Sequence, residues 1–519
     1  MIEKYLNNRI YILYVIPFTI GLLTVLSFQP FNLIFINFFI LPIVFYVIVH
    51  IKKKSKSTYR KKPYKKNLFI FGTTFGFGFY LGGIHWITNS LTFDDNFKIL
   101  IPIALIAIPA FLSLFYSITF LIVGPYLNFN LSSIFLFSSS LAISDYLRAK
   151  ILTGFPWNLW SYSFSWSTEI IQVLNLVGLF TFNLISITLL VMPAVFFLKF
   201  KLKYKLGIIL LIIFSFFSLY IYGNHSLNEN NSQKKLNEDK FNIKIISPNF
   251  ELKYGLSMQD IDMRLNKLIR YSEPKNNKET LFIWPEGVFS GYTFDEIKIF
   301  KKKFTQNFKK NHFILFGINR YDDEKKGVYN SMLVINNQLE IVGEYRKQKL
   351  VPFGEFLPLE KLLGIIGLKK ITEGYGSFLK GSNQKNLIFE NLNILPLICY
   401  EIIFTKFIQK SDPKTNLIVN ISEDGWFGKS IGPHQHFTKA SFRAIEKNSF
   451  LIRSANKGIS AIINNKGEII KKLNPYETGN IELEVPLLKN KNKNKNDLIF
   501  FILLITNIFI FKFNKKNND

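Results

Sequence analysis

The sequence predicts an α-helical polytopic membrane domain followed by a layered α/β domain on the extracytoplasmic side. Three observations predict it. Apolar runs of membrane length fill residues 1–222, and the lysines and arginines cluster between those runs. Beyond residue 240 the composition becomes that of a globular domain in which short β-forming runs alternate with helical stretches.

A chain of 519 residues is too long for one ordinary domain. It is 48% hydrophobic and 16% aromatic, with a formal net charge of +28. Such a charge would suit nucleic acid if it lay on one globular face. Placed between apolar runs, it favours a membrane and argues against nucleic-acid binding. The single cysteine excludes an internal disulfide and a cysteine-based zinc site.

A membrane span needs about 20 predominantly apolar residues. Seven runs qualify as candidates: 10–28, 33–51, 68–87, 99–123, 131–146, 170–198 and 206–222. An eighth, 498–513, is short enough to fit an interfacial helix as well. The first run lacks a following small-residue cleavage site and reads as a retained anchor. Lys4, Arg9, the basic loop 52–66 and Lys199, Lys201, Lys203 and Lys205 fall on one side of this scheme, which is then cytoplasmic. The loop 89–98, with Asp94 and Asp95, and everything after the seventh span face outside. Lys489, Lys491, Lys493 and Lys495, just before the last run, go against the rule. The glycines of the third span, among them Gly72, Gly76 and Gly78, read as close helix packing. Asp145 and Arg148 belong in the bundle interior or at the aqueous boundary.

Residues 223–240 are polar and read as a linker; 241–488 form the α/β domain and 489–519 a terminal helix and tail. Candidate strands are 243–246, 281–284, 313–316, 331–335, 394–399, 417–420, 450–453 and 459–463. Candidate helices are 258–271, 294–308 and 434–446. Asn464-Asn465-Lys466-Gly467 suits a hairpin turn.

Three stretches carry chemistry-bearing residues at the ends of strand-like runs. The apolar run 394–398 delivers Cys399, followed at once by Tyr400-Glu401. A second run ends in Trp284-Pro285-Glu286. The third is Tyr345-Arg346-Lys347-Gln348-Lys349-Leu350-Val351-Pro352-Phe353-Gly354-Glu355. A lone cysteine is more often an inert core residue, and a single Glu or Lys at a strand end is more often a solvated charge. Together they supply a thiol nucleophile, a carboxylate general base, a cation for an oxyanion and a second carboxylate, the parts of a covalent acyl-transfer site. His434 and His436 lack the i, i+4 spacing of a helical zinc pair and read as packing at a helix start; no metal or cofactor is implied.

Trp-Pro-Glu, Tyr-x-Lys-x-x-Leu-Val-Pro-Phe-Gly-Glu and Cys-Tyr-Glu resemble the three signatures of the carbon–nitrogen hydrolase (nitrilase) superfamily, over about 242–488. The resemblance implies an αββα sandwich and a Glu286–Lys347–Cys399 triad. With membrane spans before it, the chain resembles more narrowly the apolipoprotein N-acyltransferase family. Supporting motifs are Leu350 to Pro358, Asp424-Gly425-Trp426-Phe427-Gly428, Gly432-Pro433-His434-Gln435-His436, Arg443-Ala444 with Glu446, Arg453, Asn456 and Gly458, and Gly154-Phe155-Pro156-Trp157. The chain departs from the family pattern at Glu423-Asp424-Gly425, where Asn-Asp-Ala is usual, and at Ser247-Pro248-Asn249 and Lys253-Tyr254, where Gln-x-Asn and Lys-Trp are usual.

The narrower resemblance implies a ping-pong reaction at a bacterial inner membrane. Cys399 takes an acyl chain from a phospholipid and passes it to the N-terminal amine of a diacylated apolipoprotein. Glu355 and Glu401 would be supporting carboxylates, and Tyr400, Tyr254 and Trp426 would line the site of a monomer. The alternatives are a membrane-tethered amidase that uses water as acceptor, and a transporter or scaffold with an inactive outer domain. The apolar stretch 362–368 is expected to dip into the bilayer, so that replacing Ile365 and Ile366 with Asp impairs activity; core packing is the other reading.

Overall fold

The computed structural model describes residues 8–54, 64–233, 239–253, 255–360, 376–382, 385–488 and 497–516. The stretch 362–368, Tyr254, and Lys489, Lys491, Lys493 and Lys495 lie outside them. The chain divides into two compact units, one of residues 1–88, 98–231 and 495–519, the other of 89–97 and 232–494.

The first unit is helical. Among the described residues, five helices are long and apolar enough to cross a membrane: Ile34–Lys54, Tyr64–Thr92, Asp95–Tyr126, Leu179–Phe197 and Leu202–Asn228. Tyr11–Ser27 and Leu498–Phe513 are shorter apolar helices. The sequence reading expects seven spans before residue 223, and the difference has local causes. The helix Leu131–Lys150 is long enough but carries Ser132, Ser133, Ser138, Ser139, Ser140, Ser144 and Asp145 on buried positions. The run 10–28 forms the shorter apolar helix Tyr11–Ser27, and the run 170–198 is long and apolar enough to cross only from Leu179, because Gly178 at φ 78° ends the short helix Leu174–Val177. The stretch expected as a linker is partly helical, because Leu202–Gln233 continues through 223–233. That segment has no proline, and propagating an existing helix is far easier than nucleating one.

Glycines set the packing distance here. A Cβ on Gly76 would lie 2.8 Å from the Ser113 Cα, and one on Gly72 would lie 2.7 Å from the Ser117 Cα. The helices Tyr64–Ile84 and Ile101–Val123 therefore touch backbone to backbone. Asp145 and Arg148 pair at 2.8 Å in the buried interior, and the Asn183 amide donates to Asp145 at 2.9 Å.

The second unit is built on two sheets, six-stranded among the described residues. The first runs β12-β1-β2-β3-β4-β5, with β1 Lys240–Ser247, β2 Thr280–Ile283, β3 His312–Asp322, β4 Gly327–Ile335, β5 Ile341–Arg346 and β12 Gly479–Pro486. The second runs β11-β10-β9-β8-β7-β6, with β6 Leu387–Phe389, β7 Leu392–Ile398, β8 Leu417–Glu423, β9 Phe450–Asn456, β10 Ser460–Ile463 and β11 Ile469–Leu473. Each sheet has a parallel triple, β1-β2-β3 or β7-β8-β9, flanked by antiparallel strands.

Alternation within the central strands builds the layers. Leu281 and Ile283 of β2 face the core shared with Ile394, Ile398, Val419 and Ile452 of the other sheet. Phe282, on the opposite face, and Trp284 just beyond the strand pack with Ile261, Leu265 and Leu268 of the helix Met258–Ser272. A strand covered on both faces reads as a continuous apolar run. Ser257 and Asp260 close a capping box at the start of that helix. The result is the layered α/β sandwich expected from the sequence. The turn at Asn464–Gly467 joins β10 to β11, with Gly467 at φ 79°.

Candidate active site

β2, β5 and β7 bring the three motif residues to one place. Beyond β2, the Trp284 N–H still donates to the Leu315 carbonyl at 2.9 Å, and Pro285 then releases the chain so that Glu286 leaves the sheet. Gly317 of β3 permits this exit, because a Cβ there would lie 2.9 Å from the Glu286 Cα. Lys347 follows the last residue of β5 and its N–H donates to the Asn330 carbonyl at 2.9 Å. Cys399 follows β7 at the start of the short helical turn Cys399–Ile403, with φ at 48°. A side chain in this left-handed region costs roughly 1–2 kcal/mol, so the surroundings must hold it.

Lys347 is buried, and its ammonium donates to Glu355 Oε1 at 2.9 Å and to Glu286 Oε1 at 3.4 Å. The Asn330 amide donates to the same two oxygens, each at 2.8 Å. Val351 N–H donates to Glu355 Oε2 at 2.9 Å, and Glu423 N–H to Glu286 Oε2 at 3.1 Å. Burial alone would lower the Lys347 pKa. The charges of Glu286 and Glu355 outweigh it and hold the ammonium above the ordinary lysine range. Burial and the charge of Glu286 push the Cys399 thiol above its ordinary value, against the opposing pull of Lys347. The resting thiol is therefore protonated.

Glu401 acts through the backbone. Its Oε1 accepts from the Tyr345 hydroxyl at 2.9 Å, Gln348 N–H at 2.8 Å and Lys349 N–H at 3.0 Å; its Oε2 accepts from Ile398 N–H at 2.8 Å. One buried carboxylate thus ties the segment after Lys347 to the residue before Cys399. Burial pushes it up to about 7, and the N–H donors and Lys347 restrain the rise.

The predicted residues Glu286, Lys347, Glu355, Cys399 and Glu401 form one connected cluster. Tyr400 follows Cys399 and meets the Phe404 ring edge-on at 5.1 Å. Trp426 lies in the turn Asp424–Phe427 and meets Phe93 edge-on at 5.2 Å, while the Asn89 amide donates to the Phe427 carbonyl at 2.6 Å.

Asn330 joins this cluster without a motif to announce it; its only signal in the sequence is that it interrupts an apolar strand. His436, expected to pack at a helix start, is buried in the helix Gly432–Lys447, with its Nε2 3.3 Å from the Cys399 carbonyl.

The sequence matches a family model described as apolipoprotein N-acyltransferase N-terminal domain over residues 20–192, and one described as carbon-nitrogen hydrolase over residues 257–488. The apolipoprotein N-acyltransferase of Rhodopseudomonas palustris is 30% identical over 489 residues, covering 91% of this chain and 89% of its own. The chain belongs to the apolipoprotein N-acyltransferase family. The family member from Rickettsia typhi is 31% identical over 481 residues, covering 91% of this chain and 92% of its own. A solved CN-hydrolase superfamily protein from Xanthomonas campestris aligns with 48% of this chain and 91% of its own at 15% identity, with a TM-score of 0.36. As an apolipoprotein N-acyltransferase family member, the chain is a bacterial membrane acyltransferase with a carbon–nitrogen hydrolase catalytic domain.

Proposed function

We propose that the chain moves a fatty acyl group from a membrane phospholipid, through a thioester on Cys399, to the N-terminal amine of a diacylglyceryl-cysteine apolipoprotein. The observation that carries this reading is the Lys347 ammonium held between Glu286 and Glu355 beside a cysteine on a strained turn. Glu286 removes the thiol proton as Sγ attacks the ester carbonyl carbon, and the negative charge that develops on oxygen faces Lys347. Collapse breaks the bond to the glycerol oxygen. That oxygen takes the proton from Glu286, and lysophospholipid leaves. The acceptor amine then attacks the thioester carbonyl, Glu286 takes a proton from nitrogen, and the carbon–sulfur bond breaks. The proton returns to the Cys399 sulfur, restoring the enzyme and leaving an amide.

Glu355 holds Lys347, and Glu401 holds both catalytic segments. One chain carries every group this scheme uses, which supports a monomer. The lysine distribution supports a catalytic domain outside the cytoplasm, where both lipid-anchored substrates reach it. Product analysis tests the proposal. Purified protein given a phospholipid with a labelled acyl chain and a diacylated lipopeptide should place the label on the peptide's terminal amine. Label recovered only as free fatty acid would show water to be the acceptor and refute the transfer.

A further inference from the structure

The nucleophile's backbone needs support on both sides of its positive φ, and Glu401 supplies only one side, through Ile398 N–H. The other side is the Cys399 carbonyl, and His436 of the helix Gly432–Lys447 meets it. A carbonyl only accepts, so Nε2 carries the ring proton and donates. The Arg453 guanidinium only donates, and its Nη2 lies 3.0 Å from Nδ1, so Nδ1 accepts. Asp424 accepts from Arg453 Nη2 at 2.7 Å and from Ser422 Oγ at 2.7 Å. Its Oδ1 also lies 3.0 Å from Nδ1, acceptor against acceptor, and Arg453 Nη2 stands between them at 3.0 Å from each and donates to both; the Nε2–H tautomer is the one that satisfies both the Cys399 carbonyl and Arg453. Asn420 takes the other end of the Arg453 fork. His436, Asp424 and Arg453 are all fully buried, and Phe427 meets the imidazole edge-on at 5.3 Å. Burial and the neighbouring Arg453 hold the ring down to about 4, so it is neutral at physiological pH, as the two partners require.

We infer that His436 is a positioning residue for the nucleophile: its Nε2–H pins the Cys399 carbonyl and so fixes the plane of the Cys399–Tyr400 peptide. A trans peptide points its N–H opposite to its C=O, so this bond also sets the direction of the Tyr400 N–H, away from His436. The inference rests on the acyl-transfer reading. It separates two reactions of the same thiol. Acylation builds a tetrahedral intermediate that needs the turn in register, whereas alkylation by iodoacetamide is a displacement of iodide from the reagent's carbon by sulfur and needs only an accessible, ionisable thiol.

The test compares wild type, His436→Leu, which keeps bulk but removes the donor, and His436→Gln, which keeps a donor at similar reach. Rates of Cys399 acylation by labelled phospholipid and of Cys399 alkylation by iodoacetamide are measured on each full-length protein. Expected is a 10–100-fold slower acylation in His436→Leu, carried by kcat with KM within about twofold. Alkylation should stay within about threefold, and His436→Gln should recover most of the acylation rate. Acylation by His436→Leu at the wild-type rate would overturn the inference. So would equal loss of both reactions in His436→Leu together with no recovery in His436→Gln. If His436→Leu does not fold, the outcome rests on His436→Gln, which must acylate within about tenfold of wild type. Absence of any acyl adduct in wild type would count against the proposed function instead.

Discussion

Replacing Glu401 with Gln should loosen both halves of the catalytic centre at once. The glutamine presents one oxygen and one NH2 where the carboxylate presented two acceptors. If its oxygen keeps Tyr345, Gln348 and Lys349, its NH2 faces the Ile398 N–H, donor against donor. Leaving that buried N–H unsatisfied costs about 1–3 kcal/mol, and the remaining bonds lose their charge assistance, roughly 1 kcal/mol more. The opposite amide orientation strands more donors and is worse. A total of about 2–4 kcal/mol corresponds to a fall in Tm of roughly 5–15 °C for a domain of this size. Ile398 precedes Cys399 and Gln348 follows Lys347, so both proposed catalytic side chains lose an anchor, and a displacement near 1 Å costs about 10²-fold in rate. The assay pairs thermal unfolding, followed by tryptophan fluorescence at pH 8, with the rate of Cys399 acylation. Glu344→Gln is the control, since its carboxylate pairs with the part-exposed Arg346 at 2.8 Å and should be worth less than about 1 kcal/mol. A Glu401→Gln protein that unfolds and acylates like wild type would refute the reasoning.

Lys347→Met should slow acylation by at least about 10²–10³-fold, measured by single-turnover transfer, because the oxyanion loses its cation and two carboxylates are left facing each other. Glu423 should make stability pH-dependent. Burial raises its carboxyl to about 8 in the folded chain, against an ordinary value near 4.5. Its contribution is complete below pH ~4.5 and is lost as pH rises through about 8. The change in Tm that Glu423→Gln causes relative to wild type should therefore be more favourable at pH 9 than at pH 5; an equal effect at both would contradict the shift. In the helical unit, Gly76→Leu should sharply reduce the yield of folded, detergent-solubilised protein, because its side chain would enter the Ser113 backbone. Normal yield and unfolding temperature would show that the helices are free to separate.

What the sequence made legible follows from burial. The eight expected strands are β1–β4 and β7–β10, each of which reads as an apolar run. The four that escaped notice are β5, β6, β11 and β12, the outer strands of the two sheets. Their outward positions carry charges, as in Ile469-Ile470-Lys471-Lys472 of β11, so no apolar run announces them. Glu286, Lys347 and Cys399 stood out because each ends a strand-like run. Asn330 and His436 did not, because their importance lies in distances between segments far apart in sequence. Where the apolar runs suggest seven spans, five described helices are long and apolar enough to cross; the buried serines of Leu131–Lys150 and the shortness of Tyr11–Ser27 account for the two runs that differ. At 423 the chain has Glu where the family usually has Asn. Its Oε2 takes the Asn456 amide at 2.7 Å and its Oε1 takes Gly425 N–H at 2.9 Å, so both oxygens are engaged as acceptors.

The most direct test of the central claim is the mass of Cys399 after a single encounter with donor. Full-length protein is mixed with a phospholipid of defined acyl chain, quenched in acid and digested, and the peptide containing Cys399 is weighed. The account requires a hydroxylamine-sensitive acyl adduct on Cys399 in wild type, absent from Cys399→Ala and discharged when diacylated lipopeptide is added. No adduct, or one that the lipopeptide amine does not discharge, would contradict it.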